Sequence, residues 1–340
     1  MNQPYRLSVL DQSPITEGET AAQALSNTLD LARACDGAGY YRYWLAEHHA
    51  SPALAGVAPE ALIGPVALAT QNIRVGSGGI MLPHYSPFKV AETFKMLAAL
   101  APDRIDLGLG RAPGSDQRTA FALQRDRTRQ MPMDDFPNNL AEVLAYLGDG
   151  LPEDHAFAAL KDTLPTGGGA IEPWLLGSSL DSAIWAAEAG LPYCIADFIN
   201  SEGLSQAQHY HRHFKPSRWL KAPYVMVATW TIAAETRAQA ERLSLPAQMM
   251  FAHLIRGTLI PVPTVETAMQ WALTNPTTSR RRRTVLGSPT AVKSELDAVA
   301  AEFGASEMML VNIMPDHAAR KNSYVSIARE YGLASHANPA

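Results

Sequence analysis

Glu47, His48 and His49 stand together directly after Arg42 to Ala46, an apolar run that reads as a strand. An imidazole near neutral pH can act as acid, base or hydrogen-bond donor, and a carboxylate beside it can fix its tautomer. Capped or solvated histidines are the alternative. A metal site is not indicated, because adjacent ligands on one loop still need a third that the sequence does not supply.

A second group is backbone rather than side chain. Gly76, Ser77, Gly78 and Gly79 fall at the end of another strand-like run, Ile73 to Ile80. Glycines clustered there point either to close approach of the chain to a flat ligand or to a bulge at a sheet rim. A third group suits an anion. Arg111 follows the strand-like Arg104 to Gly110 and is flanked by the small residues Gly110 and Ala112. A guanidinium there matches phosphate or carboxylate, unless it merely pairs with Asp116. Gly177, Ser178 and Ser179 join a strand to a helix start, where free N–H groups and hydroxyls attract an anion. Asp181 competes with that, and serine is also the ordinary helix cap.

Other features read more plainly. Gly287, Ser288 and Pro289 form a rival cradle, yet serine before proline is also what a helix start requires. Arg280 to Arg283 reads as a solvated cluster. His209 and His213, four apart, read as one solvated helix face.

The elements that must hold these groups alternate along the chain. Strands are expected at Arg6 to Leu10, Arg42 to Ala46, Ile73 to Ile80, Arg104 to Gly110, Ala170 to Leu176, Tyr193 to Ala196, Tyr224 to Ala233 and Met308 to Asn312. Helices are expected over Thr20 to Ala38, Pro59 to Thr70, Pro87 to Leu100, Asn139 to Leu147, Leu180 to Glu188, Ser201 to Phe214, Ala291 to Phe303 and Ser323 to Gly332. Helical pieces and a proline-rich stretch fill Glu235 to Arg283. Eight strands with crossover helices fit a closed α/β (β/α)₈ TIM barrel, with an open doubly wound sheet as the minority arrangement. Residues 1–340 then form a single domain. The long stretches 111–164 and 235–283 are insertions at the C-terminal face of the barrel, where they either wall the site or pack on the outside.

Composition bounds the function. The 340 residues are 47% hydrophobic and 18% charged, enough to bury a large core. A formal charge of −5 gives no global basic field for nucleic acid or anionic lipid. Met1 to Pro4 open no export signal, and the most apolar stretch, Ala222 to Ala234, is too short to span a bilayer. Cys35 and Cys194 make neither a disulfide framework nor a zinc site, so a cytoplasmic protein is expected.

Taken together these stretches resemble the luciferase-like flavin monooxygenases (the bacterial luciferase-like, LLM class of flavin-dependent oxidoreductases). The similarity runs through Leu7 to Pro14, Tyr43 to His49, Ile73 to Pro83, Lys89 to Glu92, Arg104 to Gly114, Trp174 to Ser179, Gly190 to Ala196, Gly287 to Pro289 and Asp316 to Arg320. It implies a (β/α)₈ barrel with FMN, in reduced form supplied by a separate reductase, at the C-terminal mouth. With O₂ the flavin would oxidise a small organic substrate. By position, Gly78 and Gly79 match a cis peptide against the flavin ring, Arg111 the phosphate-binding arginine, and Gly177, Ser178 and Ser179 the phosphate loop. Glu92 matches a flavin-site carboxylate, His48 the catalytic histidine and His49 its neighbour, and Glu47 beside them is taken as a further catalytic candidate. A valine at Gly79 would on this reading block the cofactor and leave the barrel folded.

Gly110 stands where luciferase carries a reactive cysteine, so light emission is not expected. Ala50 and Ser51, His84 and Tyr85, and Gln124 also depart from the subgroup's pattern near the pocket, which leaves the substrate open. A deazaflavin-dependent dehydrogenase of the same fold is one rival. A flavin-binding protein without turnover is the other, and retention of Glu47 and His48 weighs against it. No G-x-G-x-x-G spacing marks a second nicotinamide domain. A homodimer is one oligomeric state compatible with all of these.

Overall fold

The computed structural model describes residues 5–112, 114–123, 135–275 and 283–335. Met1 to Pro4, Gln124 and Arg280 to Arg282, singled out above, lie outside the described residues.

Strands β1 (Arg6–Asp11), β2 (Arg42–Leu45), β3 (Arg74–Met81), β4 (Ile105–Gly110), β5 (Glu172–Gly177), β6 (Tyr193–Ile195) and β7 (Val225–Ala233) pair in chain order, each parallel to the next. Strand β9 (Glu307–Val311) lies between β7 and β1 and closes the ring. The result is the eight-stranded TIM barrel expected from the alternation, in the same eight places. Burial explains why these runs read as nearly continuous apolar segments: every residue of β4, β7 and β9 is buried, as parallel strands covered on both faces require.

A ninth strand, β8 (Thr284–Gly287), is absent from the expected eight. It pairs with Trp230–Ala233 at the end of β7, where Trp230 is the last residue also paired with β9 and Thr231 to Ala233 run past it.

Helices α1 (Ala21–Gly37), α2 (Pro59–Ala69), α3 (Pro87–Leu100), α6 (Leu180–Ala189) and α7 (Leu204–His213) follow the first six barrel strands, with α4 (Gln117–Leu123) and α5 (Phe136–Leu147) both between β4 and β5. The expected punctuation is used. Thr20 and Ser179 cap helix starts through their side chains, proline opens α2 and α3, and Gly190, with φ of 62°, ends α6 in the left-handed region. Between β7 and β8 run α8 (Arg237–Ile255) and α9 (Val265–Thr274); α10 (Pro289–Phe303) precedes β9. The last helix, α11 (His317–Glu330), starts earlier than Ser323 because the Asp316 carboxylate accepts from Ala319 N–H and caps it there. No described helix is long and apolar enough to cross a membrane.

Two buried charge networks set the barrel's ends. At the N-terminal end the Arg42 guanidinium meets Asp106 at 2.8 Å, Glu172 at 2.9 Å and Glu307 at 3.1 Å, while Arg74 meets Asp106 at 2.6 Å. These charges come from the first residue of β2, β3, β5 and β9 and the second of β4, so they floor the barrel. Above them the Trp44 and Trp174 rings meet edge to face at 5.2 Å. Near the opposite end, Arg320 of α11 reaches Asp11 at the end of β1 at 2.7 Å. Tyr43 O–H (2.6 Å) and Ser13 N–H (2.8 Å) donate to the same carboxylate. Burial raises the Asp11 pKa, but Arg320 and these donors outweigh it and hold the carboxyl below its ordinary value. That carboxylate thereby fixes the turn that carries Gln12 and Ser13.

Candidate functional site

A cavity of about 370 Å³ opens at the C-terminal ends of the barrel strands. This lies within the ~300–1,000 Å³ of small-molecule and cofactor sites. Its walls include Glu47, His48, Gly78, Gly79, Arg111 and Gly177, with Ser178 and Ser179 beside them. Eight of the ten expected site residues therefore meet around one space. They come from the ends of β2, β3, β4 and β5, as the barrel topology requires.

The loop after β2 is pinned on both sides. His48 N–H donates to the Gly56 carbonyl at 2.9 Å and His49 N–H to the Gly114 carbonyl at 3.1 Å. The Glu47 side chain, 1% exposed, accepts from Met81 N–H at 2.9 Å and Tyr85 O–H at 3.0 Å, and meets His49 Nε2 at 2.8 Å. Three partners occupy that carboxylate, so Glu47 ties the β2 loop to the end of β3. His49 supports Glu47 and does not line the cavity; the His84 ring packs edge-on against it at 5.9 Å.

The His48 ring faces the cavity, and its buried Nδ1 has no hydrogen-bond partner among the described residues. Burial, and then the neighbouring His49, depress its pKa from 6.5 to about 4. The imidazole is therefore neutral at pH 7. In the ligand-free protein an NMR histidine titration should place the His48 midpoint near 4. A midpoint near 6.5 would mean that the ring is solvated.

The Gly78–Gly79 peptide is cis, the geometry implied by the resemblance. Both glycines present bare backbone to the cavity. A Cβ at Gly79, however, would lie 2.7 Å from the Gly108 carbonyl oxygen of β4. This corrects the expectation that a side chain at Gly79 would spare the barrel, since it would drive into the neighbouring strand. Gly79→Ala should destabilise the ligand-free protein by about 1–3 kcal/mol, the usual cost of overpacking. Equilibrium denaturation checks it, and an unchanged midpoint would show that β4 yields.

Arg111 lies at the rim, 26% exposed, with Nη1 3.1 Å from Asp181 Oδ2 and its guanidinium carbon 5.0 Å from the centre of the Trp185 ring. The pairing with Asp116 does not form. Ser179 caps α6, so Arg111, Ser178 and the α6 N-terminus share one corner of the cavity. Asp181 is 56% exposed and free to turn outward.

Glu92 is not brought to this site. It lies on α3, 39% exposed and 2.7 Å from Lys89, and does not line the cavity. The rival cradle is a helix cap: Ser288 accepts from Ala291 N–H. His209 and His213 stack at 4.3 Å on α7, apart from the cavity. Residues not expected at the site complete the walls, chiefly Gln12, Cys194, Phe198, Ala228 and Met309. The apolar ones could not be told from core in the sequence, whereas Gln12 directly after a strand was a visible signal.

Residues 5–311 match the family of luciferase-like monooxygenases. A luciferase-like monooxygenase of Escherichia coli K12 is 41% identical over 322 residues, which cover 93% of this chain and 94% of that protein. An N-acetyl-S-alkylcysteine monooxygenase of Bacillus subtilis is 36% identical over 326 residues, covering 94% and 96%. Among solved structures, apo-MsnO8 superposes with a TM-score of 0.88 at 35% identity, covering 98% of this chain and all of the other. Two more distant structures share the fold. One is the FMN complex of the oxygenating constituent of 3,6-diketocamphane monooxygenase from Pseudomonas putida (TM-score 0.71, 20% identity, 96% and 97% covered). The other is a coenzyme F420-dependent reductase from Methanopyrus kandleri (0.63, 12%, 96% and 98%). With the barrel, the mouth and these matches in agreement, the chain belongs to the luciferase-like monooxygenase family.

Proposed function

We propose that this protein is a two-component monooxygenase that takes reduced FMN from a separate reductase and uses O₂ to oxidise a small organic substrate. One observation carries this reading: the His48 ring, the bare Gly78–Gly79 backbone and the Arg111 corner line a single cavity. The residues suit FMN. Arg111, Ser178, Ser179 and the α6 N-terminus would hold the phosphate, with Asp181 turned outward. The backbone of Gly78 and Gly79, free of side chains, would support the ring. His48 keeps a buried polar atom without a partner among the described residues, as a cavity built for a polar ligand would.

When bound, reduced FMN supplies the electrons and the reaction with O₂. The chain's own part is to bind, orient and exclude water. Leu10, Leu176, Ala228 and Met309 give the cavity apolar walls that keep bulk water out. His48, neutral at pH 7, takes up or gives a proton at Nδ1. Glu47 does not reach for substrate in this scheme. It holds Met81, Tyr85 and His49 so that the His48 loop stays in register with β3. The proposal includes the whole chain as one barrel domain in the cytoplasm, with 111–164 and 235–283 as insertions within it.

The test is a metabolite screen with reduced FMN and isotopically labelled O₂. A product carrying the label is expected. An oxidised product without label, formed with an oxidised deazaflavin as hydride acceptor and no O₂, would replace this function by a dehydrogenase. FMN binding with no product from any metabolite pool would leave a binding protein.

A further inference from the structure

Resting on that reading, the cavity has two unlike halves. The corner between β4 and β5 holds the guanidinium and the helix N-terminus. In the eight-strand ring β1 lies directly opposite β5, so Gln12, which follows β1, stands across the mouth from the phosphate corner. Gln12 is 4% exposed, and its buried Oε1 has no hydrogen-bond partner among the described residues. An unmade hydrogen bond in such a place is costly, and buried amides are normally satisfied. Nothing about the barrel's construction demands a glutamine there. The turn that carries it is fixed instead by Asp11 and Arg320.

The surroundings of that amide limit what can satisfy it. Leu10, Ala46, Ala228 and Met309 contribute apolar wall to the cavity. Of the charged groups lining the described cavity, Glu47 is occupied by three partners and Arg111 belongs to the opposite corner. A charged substrate group beside Gln12 would be buried without a counter-ion, which is strongly unfavourable. A neutral group that hydrogen-bonds to a carboxamide meets no such obstacle.

The geometry points to Gln12 as the residue that anchors the organic co-substrate, an uncharged molecule with an apolar body and one hydrogen-bond-donating head, such as an amide or hydroxyl, for the Gln12 Oε1 acceptor. Gln12 is thus a specificity residue for the monooxygenase reaction, separate from the phosphate corner and from His48.

Hexanamide and hexanoate serve as probes, since they share a chain length and differ in head-group charge. Their affinities are measured by calorimetry for the wild type and Gln12→Met, both saturated with oxidised FMN. Hexanamide should bind the wild type at least about tenfold more tightly than hexanoate. Gln12→Met should weaken hexanamide about tenfold, the worth of one neutral hydrogen bond, and leave FMN affinity unchanged. The thermal midpoint of the ligand-free variant should rise, because the unsatisfied amide is gone; a midpoint at or above wild type also shows that the variant folds. Equal binding of the two probes, no saturable binding of hexanamide, or unchanged hexanamide affinity in Gln12→Met would each overturn the assignment. The same titrations without FMN separate it from the wider reading. Failure of FMN to bind while hexanamide still depends on Gln12 defeats the flavin proposal and leaves the Gln12 site standing.

Discussion

Replacing His48 by alanine should lower turnover by about 10²- to 10⁴-fold while FMN affinity stays within a few-fold of wild type. The expected range corresponds to about 3–5 kcal/mol of lost transition-state stabilisation. It follows from the ring's place on the cavity wall, its unpartnered Nδ1 and its neutral state at pH 7. The loop itself should survive the change, because it is held by the His48 and His49 backbone N–H groups and by the Glu47 carboxylate. Single-turnover kinetics with the product identified in the labelled-oxygen screen are the appropriate measurement. Full turnover in the variant would remove His48 from the chemistry. Loss of FMN binding alone would make it a wall of the cofactor site.

The second large effect concerns stability. Arg320→Met removes the cation from a buried pair and leaves the Asp11 carboxylate without its strongest partner. Breaking such a pair from one side costs about 3–5 kcal/mol, because a charge stays buried and uncompensated. The sign with pH is fixed by Asp11, whose folded pKa lies below the ordinary 3.8. In the wild type its contribution is present at neutral pH and is lost as pH falls through the folded value. In Arg320→Met the carboxyl pKa should rise above 3.8, so the deficit is greatest at neutral pH and shrinks as pH falls through that raised value towards pH 4. Urea denaturation of both proteins at pH 7 and pH 4 checks this. An equal deficit at the two pH values would mean that lost packing, not the stranded charge, dominates.

The pair also shows where a sequence stops being informative. Asp11 and Arg320 lie 309 positions apart, and neither run of residues hints at the other. By contrast, the eight barrel strands are legible because each is a short apolar run closed by turn or cap residues, in a repeating order that parallel sheets impose. Strand β8 escapes the same reasoning. It is four residues long, follows an arginine run and pairs only with the end of β7.

The site divides in the same way. Gly78, Gly79, Arg111 and Ser178 announce themselves because unusual residue types sit at strand ends. Glu92 misleads, since a carboxylate on a helix carries no sign of which way it faces, and α3 turns it to Lys89. Glu47 is visible as a residue but not as a hub, because Tyr85 and the Met81 N–H become its partners only once β3 is laid beside β2. Gln12 shows in the sequence as a polar residue after a strand, but only the fold shows its amide buried and its Oε1 without a partner among the described residues.

The central claim is that this mouth binds a flavin by its phosphate at the Arg111 corner. Parallel titrations of wild type and Arg111→Ala with FMN and with riboflavin test it most directly. The wild type should prefer FMN, and the substitution should cost about 2–3 kcal/mol in FMN affinity, roughly 30- to 150-fold, with riboflavin nearly unaffected. Unchanged FMN affinity in Arg111→Ala, or a wild type that does not distinguish FMN from riboflavin, would contradict it.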